Sequence, residues 1–193
     1  MKYSKEIVQY FEQIKSNCNA IYLGGSRIDP VIDNPHDYDF ICFAKPLKMH
    51  ILPAQLEQLG FPQQDGTDRT KLKTLLDMTQ IRQYPYNEID WFSYLDHLMI
   101  KVVGDDVCPD TDIINTNRQD FLKDLRYKAE CLLTEWCNYP KRWYHILRGV
   151  YILMNNSYEV TEEQKKEINI LHDLTPGWEG IVLKTVNLLA QLK

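Results

Sequence analysis

At 193 residues and 44% hydrophobic content, the chain holds enough apolar material for one sizeable core or two small ones sharing a face. Its net charge of -5, with 25% charged residues, excludes the basic excess of a general nucleic-acid binder and leaves room only for a local basic patch. The five cysteines (Cys18, Cys42, Cys108, Cys131, Cys137) are odd in number and form no Cys-x-x-Cys pair, which argues against a disulfide framework and a zinc site.

Reduced thiols in a soluble, cytoplasmic protein are therefore expected. The opening MKYSKEIVQYFEQIK scatters charges through its apolar positions and reads as no targeting segment, and no window reaches the ~18 uninterrupted apolar residues of a membrane span. Ile7, Val8, Phe11 and Ile14 recur at helical spacing, which predicts a helix over 4–17 with Ser4 as N-cap. AIYL, 20–23, is apolar and stopped by glycine, a buried strand; YDFICF, 38–43, is a second strand that ends before Pro46. A helix near 47–59 stops at Gly60, with Pro53 breaking or restarting it. Residues 78–95 alternate apolar and polar on either side of Pro85-Tyr86-Asn87, as two strands of a hairpin do, and 66–77 has no decisive pattern.

From residue 117 the period becomes helical. Phe121, Leu125, Leu132 and Trp136 form one stripe, and Trp143, Leu147, Val150, Tyr151 and Met154 form a second. Two more helices are expected near 161–173 and 179–192, with breaks at 138–140, 155–157 and 175–177. The expected class is α+β: a small mixed-sheet domain over 1–110, then a helical bundle over 111–193.

The stretch YLGGSRIDPVIDNPHDYDFICF, 22–43, carries the chemistry. Alternation along a strand puts Asp37 and Asp39 on one face, roughly 7 Å apart at the backbone, and Tyr38 and Phe40 on the other. Two such carboxylates repel unless a cation lies between them, and hard oxygen donors favour Mg²⁺ or Mn²⁺, which bind through one or two carboxylates plus substrate phosphates. Gly24 and Gly25 let the backbone approach an anion closely, and with Ser26 they suit a triphosphate. Asp90, between Ile89 and Trp91 on the expected return strand, is the candidate third carboxylate and general base; Asp77, Glu88 and Asp96 compete for that role.

Leu23-Gly24-Gly25-Ser26, a gap of about ten residues, and Asp37-Tyr38-Asp39-Phe40 together resemble the signature of the DNA polymerase beta-like nucleotidyltransferase superfamily. Ser26-Arg27 is similar to the Gly-Ser-Arg version of its small bacterial members, and the helical bundle is similar to that of the minimal and kanamycin nucleotidyltransferase-like branches. The resemblance implies a Mg²⁺-dependent nucleotidyltransferase that moves a nucleoside monophosphate from an NTP such as ATP to a hydroxyl, releasing pyrophosphate. It implies metal binding by Asp37, Asp39 and Asp90, and nucleotide binding by Gly24, Gly25, Ser26 and Arg27, in a cleft between sheet domain and bundle. His36 and a spacer with two prolines and no glycine depart from the usual pattern and leave the acceptor open: a small molecule such as an aminoglycoside, a protein side chain or a tRNA end. The alternative is a non-catalytic module of the same fold that binds nucleotide or a partner protein.

Plainer readings stand beside these. Gly24 to Ser26 also fits an ordinary strand-to-helix turn, and the aspartates also fit a solvated strand edge. Arg27 reads equally as a phosphate ligand or as a partner of Asp29 or Asp33. Lys141, Arg142, His145 and Arg148 give the second bundle helix a basic side, for which a solvated face is a plainer account than a triphosphate or RNA site. Tyr144 is expected in the core rather than stacked on a base.

Overall fold

Residues 12, 16, 18–24, 26, 28–35, 39–44, 69–74, 100–105, 112–135 and 140–193 are described by the computed structural model. Four strands come first: β1 (Cys18–Gly24), β2 (Asp39–Ala44), β3 (Arg69–Thr74) and β4 (Ile100–Gly104). Their sheet has the order β3-β2-β1-β4. β1 is antiparallel to both β2 and β4, and β2 is parallel to β3, so the sheet is mixed. The inner strands are the apolar ones, CNAIYLG and DFICFA, and Ala20, Ile21 and Tyr22 are buried. The outer strands of the described sheet, RTKLKT and IKVVG, carry the lysines, which suit a position where one edge has no further strand to pair with.

Four helices follow: α1 (Arg118–Glu135), α2 (Trp143–Asn155, entered through a 3₁₀ turn at Pro140–Arg142), α3 (Glu162–Asp173) and α4 (Trp178–Gln191). α2 is apolar nearly all round, and a helix of that kind has to be surrounded. It packs against α1, α3 and α4, and its residues from Trp143 to Leu153 are buried except His145. α1 contributes Phe121, Leu122, Leu125 and Leu132 to this core, α3 Ile168 and Leu171, and α4 Val182 and Leu189. By backbone contacts the chain separates into two compact units. One holds Met1–Asp29 and the sheet strands; the other holds Pro30–Asn34 and Thr111–Lys193.

Local chemistry fixes the helix ends. Before α1, the Asp112 carboxylate accepts from the Ile114 and Asn115 amides at 3.0 Å, and these bonds, that of Asn115 foremost, hold its carboxyl below the usual range. α3 begins with a capping box: Thr161 Oγ1 accepts from the Gln164 amide, while the Gln164 side chain accepts from the Thr161 amide. α3 ends on Leu174 in the left-handed region (φ 52), its N–H bonded to the Ile170 carbonyl. Gly177, φ 98, supplies the conformation that starts α4.

The strands expected over AIYL and YDFICF are present as β1 and β2, as are all four bundle helices, and β1 extends beyond AIYL at both ends. β3 and β4 are additions that the sequence reading did not assign. Two expectations are corrected. Met154, placed in the core stripe, is 48% exposed, because its position falls at the end of α2. Arg148, placed on a solvated basic face, is buried at 1% exposure, because α2 has no solvated face at that turn. Of the expected helix over 4–17 only Glu12, which is helical, and Ser16 are described, and the helix near 47–59, the hairpin over 78–95 and Trp136 lie outside the described residues. Among the described residues no helix is long and apolar enough to cross a membrane.

Candidate functional site

The inner strands carry the candidate residues to one end of the sheet. β1 finishes on Gly24 and β2 begins on Asp39, and the register makes these two direct partners, with Leu23 facing Phe40 next to them. Directly opposed residues of an antiparallel pair have Cα atoms about 4.5–5.5 Å apart. Residues at opposite ends of a long spacer are thus neighbours, and no Cβ stands across from Asp39. On its other side Asp39 is in register with Arg69, the first residue of β3. Ser26, just past the end of β1, is buried at 7% exposure.

The spacer is not a solvated excursion: Ile28, Asp29, Val31 and Ile32 are all buried. Its middle is tied to α3. Asn169 accepts from the Asp33 amide through Oδ1 at 2.9 Å, and its Nδ2 donates to the carbonyls of Val31 at 2.8 Å and Lys165 at 2.9 Å. The Lys165 ammonium pairs with the Asp33 carboxylate at 2.8 Å, a bond that raises the Lys165 pKa above its ordinary value. Asn34 donates to Asp173 Oδ2 at 3.0 Å, and Asp173 Oδ1 lies 2.6 Å from His172 Nδ1. A shallow recess of about 270 Å³ beside this junction is lined by Asp33, Lys165, Asn169 and Asp173 among others.

Of the seven candidate site residues, Gly24, Ser26 and Asp39 are described, and the structure brings Gly24 and Asp39 together. Gly25, Arg27, Asp37 and Asp90 lie outside the described residues, as do His36, Asp77, Glu88 and Asp96. Asp33, one of the two partners considered for Arg27, is engaged by Lys165. The basic residues of α1 are also engaged. Lys128 pairs with the fully buried Asp124 at 2.8 Å, Lys123 approaches Asp120 at 3.7 Å, and Arg126 donates to the Leu192 carbonyl at 2.6 Å. Tyr144 is buried, its ring edge-on to His172 at 4.9 Å, as expected of a core residue.

Among the described residues no three carboxylates, histidines or cysteines gather as a metal cluster. What is described of the site suits a hard divalent cation with a polyphosphate: an aspartate opposite a residue with no side chain, at the end of two inner strands, with a serine buried nearby. The hold of α3 on the spacer had no counterpart in the sequence reading. NILHD offers an asparagine on an amphipathic helix and nothing that names its partner.

No family model matches the chain, and no curated protein matches it. Among solved structures it is similar to the crystal structure of spectinomycin adenyltransferase AAD(9) from Enterococcus faecialis with ATP and spectinomycin. The identity is 12%, the TM-score 0.58, and the match covers 98% of this chain and 100% of that one. At that identity the likeness is one of fold: a small mixed sheet followed by a helical bundle is an α+β architecture that this chain shares with a nucleotidyltransferase.

Proposed function

We propose that the chain is a Mg²⁺-dependent nucleotidyltransferase that moves a nucleoside monophosphate from an NTP to a hydroxyl. The observation that carries this reading is the register of Gly24 with Asp39 at the end of the two inner strands, within a fold shared with an adenyltransferase. The backbone at Gly24 and Gly25, the Ser26 hydroxyl and Arg27 hold the β- and γ-phosphates. Asp37, Asp39 and Asp90 are the ligands for Mg²⁺ or Mn²⁺, which when bound neutralises charge on the phosphates. The acceptor oxygen forms a bond to the α-phosphorus, the bond from that phosphorus to the bridging oxygen breaks, and pyrophosphate leaves with the electron pair. Asp90 takes the proton of the acceptor hydroxyl.

ATP is the favoured donor and a small hydroxylated molecule the favoured acceptor, since the structural neighbour was solved with ATP and spectinomycin. The acidic net charge of -5 weighs against long nucleic acid. Reduced thiols would suit a cytoplasmic enzyme, and among the described residues Cys131 is a free, exposed thiol.

The test is pyrophosphate release from each of the four NTPs with Mg²⁺ and a panel of hydroxyl acceptors, wild type against Asp90→Ala and Asp39→Asn. Release by wild type that falls by a factor on the order of 10² or more in Asp90→Ala, with Mg²⁺-NTP still bound, supports the reading. Equal nucleotide binding with no release by any of the proteins identifies a binding module instead.

A further inference from the structure

One transverse row of the sheet brings together three residues that the sequence keeps far apart. Gly24 ends β1, Asp39 begins β2 and Arg69 begins β3, and Asp39 is in register with both of the others. Both neighbours of β2 are thereby assigned, so the residues that flank Asp39 in the sheet are a glycine and an arginine. Adjacent strands lie about 4.8 Å apart, and residues in register across them share a face. All three belong to the same compact unit.

Charge is unevenly spread over this sheet. Its four described strands carry one carboxylate, Asp39, against Arg69, Lys71, Lys73 and Lys101, although the whole chain has a net charge of -5. Lysines on an outer strand are accounted for by the need to keep an edge from pairing with another chain. Arg69 differs in place and in kind. It stands at the first position of β3, in the row of Asp39, whereas Lys71 and Lys73 lie about 7 and 13 Å further along the strand. A guanidinium is also a planar fork of donors that matches phosphate oxygens, a geometry that an ammonium lacks.

A triphosphate with one Mg²⁺ keeps a net negative charge, and a carboxylate ligand of that metal adds to it, so a further cation in the row of the carboxylate favours binding. We propose that Arg69 is a phosphate-binding residue of the Asp39 site, taking oxygens of the triphosphate beside the metal. In the transfer, pyrophosphate leaves with the electron pair of the broken bond, and Arg69 stabilises the charge that it carries away. The proposal rests on the nucleotidyltransferase reading and adds to it a ligand that lies outside the glycine, serine and aspartate motif.

The test is calorimetric binding of inorganic triphosphate and of a nonhydrolysable ATP, each with Mg²⁺, to wild type, Arg69→Met, Arg69→Lys and Lys73→Met. Pyrophosphate release from ATP over a panel of hydroxyl acceptors is measured beside it, with Asp39→Asn included. Arg69→Met is expected to weaken both ligands at least about tenfold. Arg69→Lys keeps the charge and loses the fork, and should weaken them about threefold or more; if Arg69→Met does not fold, this variant decides alone. Lys73→Met should bind both ligands as wild type does. An arginine that serves only as a structural partner of Asp39 lowers the melting temperature of Arg69→Met but leaves both affinities at the wild-type value, and that result overturns the proposal. So does an equal loss of affinity in Lys73→Met, which marks a diffuse basic face. Either result alongside an inactive Asp39→Asn leaves the nucleotidyltransferase reading standing. If wild type binds neither ligand, or Asp39→Asn releases pyrophosphate as fast as wild type, the reading fails and takes the proposal with it.

Discussion

Gly24 and Asp39 are direct partners across the antiparallel pair of β1 and β2. A glycine ending one inner strand therefore stands opposite an aspartate beginning the other, and position 24 brings no side chain to that pair. Valine is favoured in strands, so Gly24→Val is expected to fold with a melting temperature no lower than wild type. Overpacking costs about 1–3 kcal/mol where a branched side chain meets an occupied site. Mg²⁺-NTP affinity measured by calorimetry should accordingly fall about tenfold or more. Unchanged affinity in the folded variant contradicts the triphosphate's approach to this backbone.

If Asp37 and Asp39 share a divalent cation, as proposed, metal binding is linked to stability. A ligand that binds only the folded state at about 100 times its Kd stabilises it by about 2.7 kcal/mol. Mg²⁺ with a nonhydrolysable NTP should raise the wild-type melting temperature. Asp37→Asn combined with Asp39→Asn should lose the metal-dependent part of that rise. An equal rise in both proteins rules out the carboxylate pair as the metal site.

Elements with a periodic apolar pattern were readable from sequence, and those made by pairing were not. β1, β2 and the four helices announce themselves through glycine stops and helical spacing, and the register of Gly24 with Asp39 joins the two halves of the quoted motif. RTKLKT has one strongly apolar residue and becomes a strand by lying parallel to β2, a long-range partnership that no local window holds. Arg148 misled because a charge on a helix reads as a solvated side, whereas α2 is enclosed at that turn. The grip of Asn169 was invisible for another reason. It bonds to backbone amides and carbonyls, which every residue type carries, so Val31 and Asp33 show no trace of it in their side chains.

Two helical glycines separate packing from propensity. A Cβ at Gly149 in α2 lies 2.8 Å from Leu125 Cδ2 and from Phe121 Cζ, and both residues are fully buried on α1. Alanine gains about 1 kcal/mol in helix propensity there, against an overpacking cost of about 1–3 kcal/mol. Packing wins, so Gly149→Ala should destabilise the chain by up to about 2 kcal/mol in urea unfolding. At Gly180 in α4 a Cβ meets nothing within 4 Å, so Gly180→Ala should be neutral to stabilising by up to about 1 kcal/mol. Stabilisation by Gly149→Ala refutes the close contact of α1 with α2.

Tyr151, Glu167 and Lys184 join α2, α3 and α4 in one ionic network. The buried Tyr151 hydroxyl donates to Glu167 Oε2, and the Lys184 ammonium donates to both Glu167 oxygens at 2.7 and 2.9 Å. Burial pushes the phenol's pKa well above its ordinary 10.0, and the bond to Glu167 and the charges of Glu167 and Glu163 push it further. The folded chain therefore keeps a proton that the unfolded chain gives up near pH 10, and this stabilisation is full below that pH and lost as pH rises through the raised value. Tyr151→Phe removes the donor but leaves Glu167 its two bonds from Lys184, so the loss near neutral pH should be about 1–2 kcal/mol. The stability gap between wild type and Tyr151→Phe, read from urea unfolding, should stay constant up to about pH 9.5 and narrow above about pH 10. A gap that widens with alkalinity reverses the sign and shows that the folded state does not hold the phenolic proton.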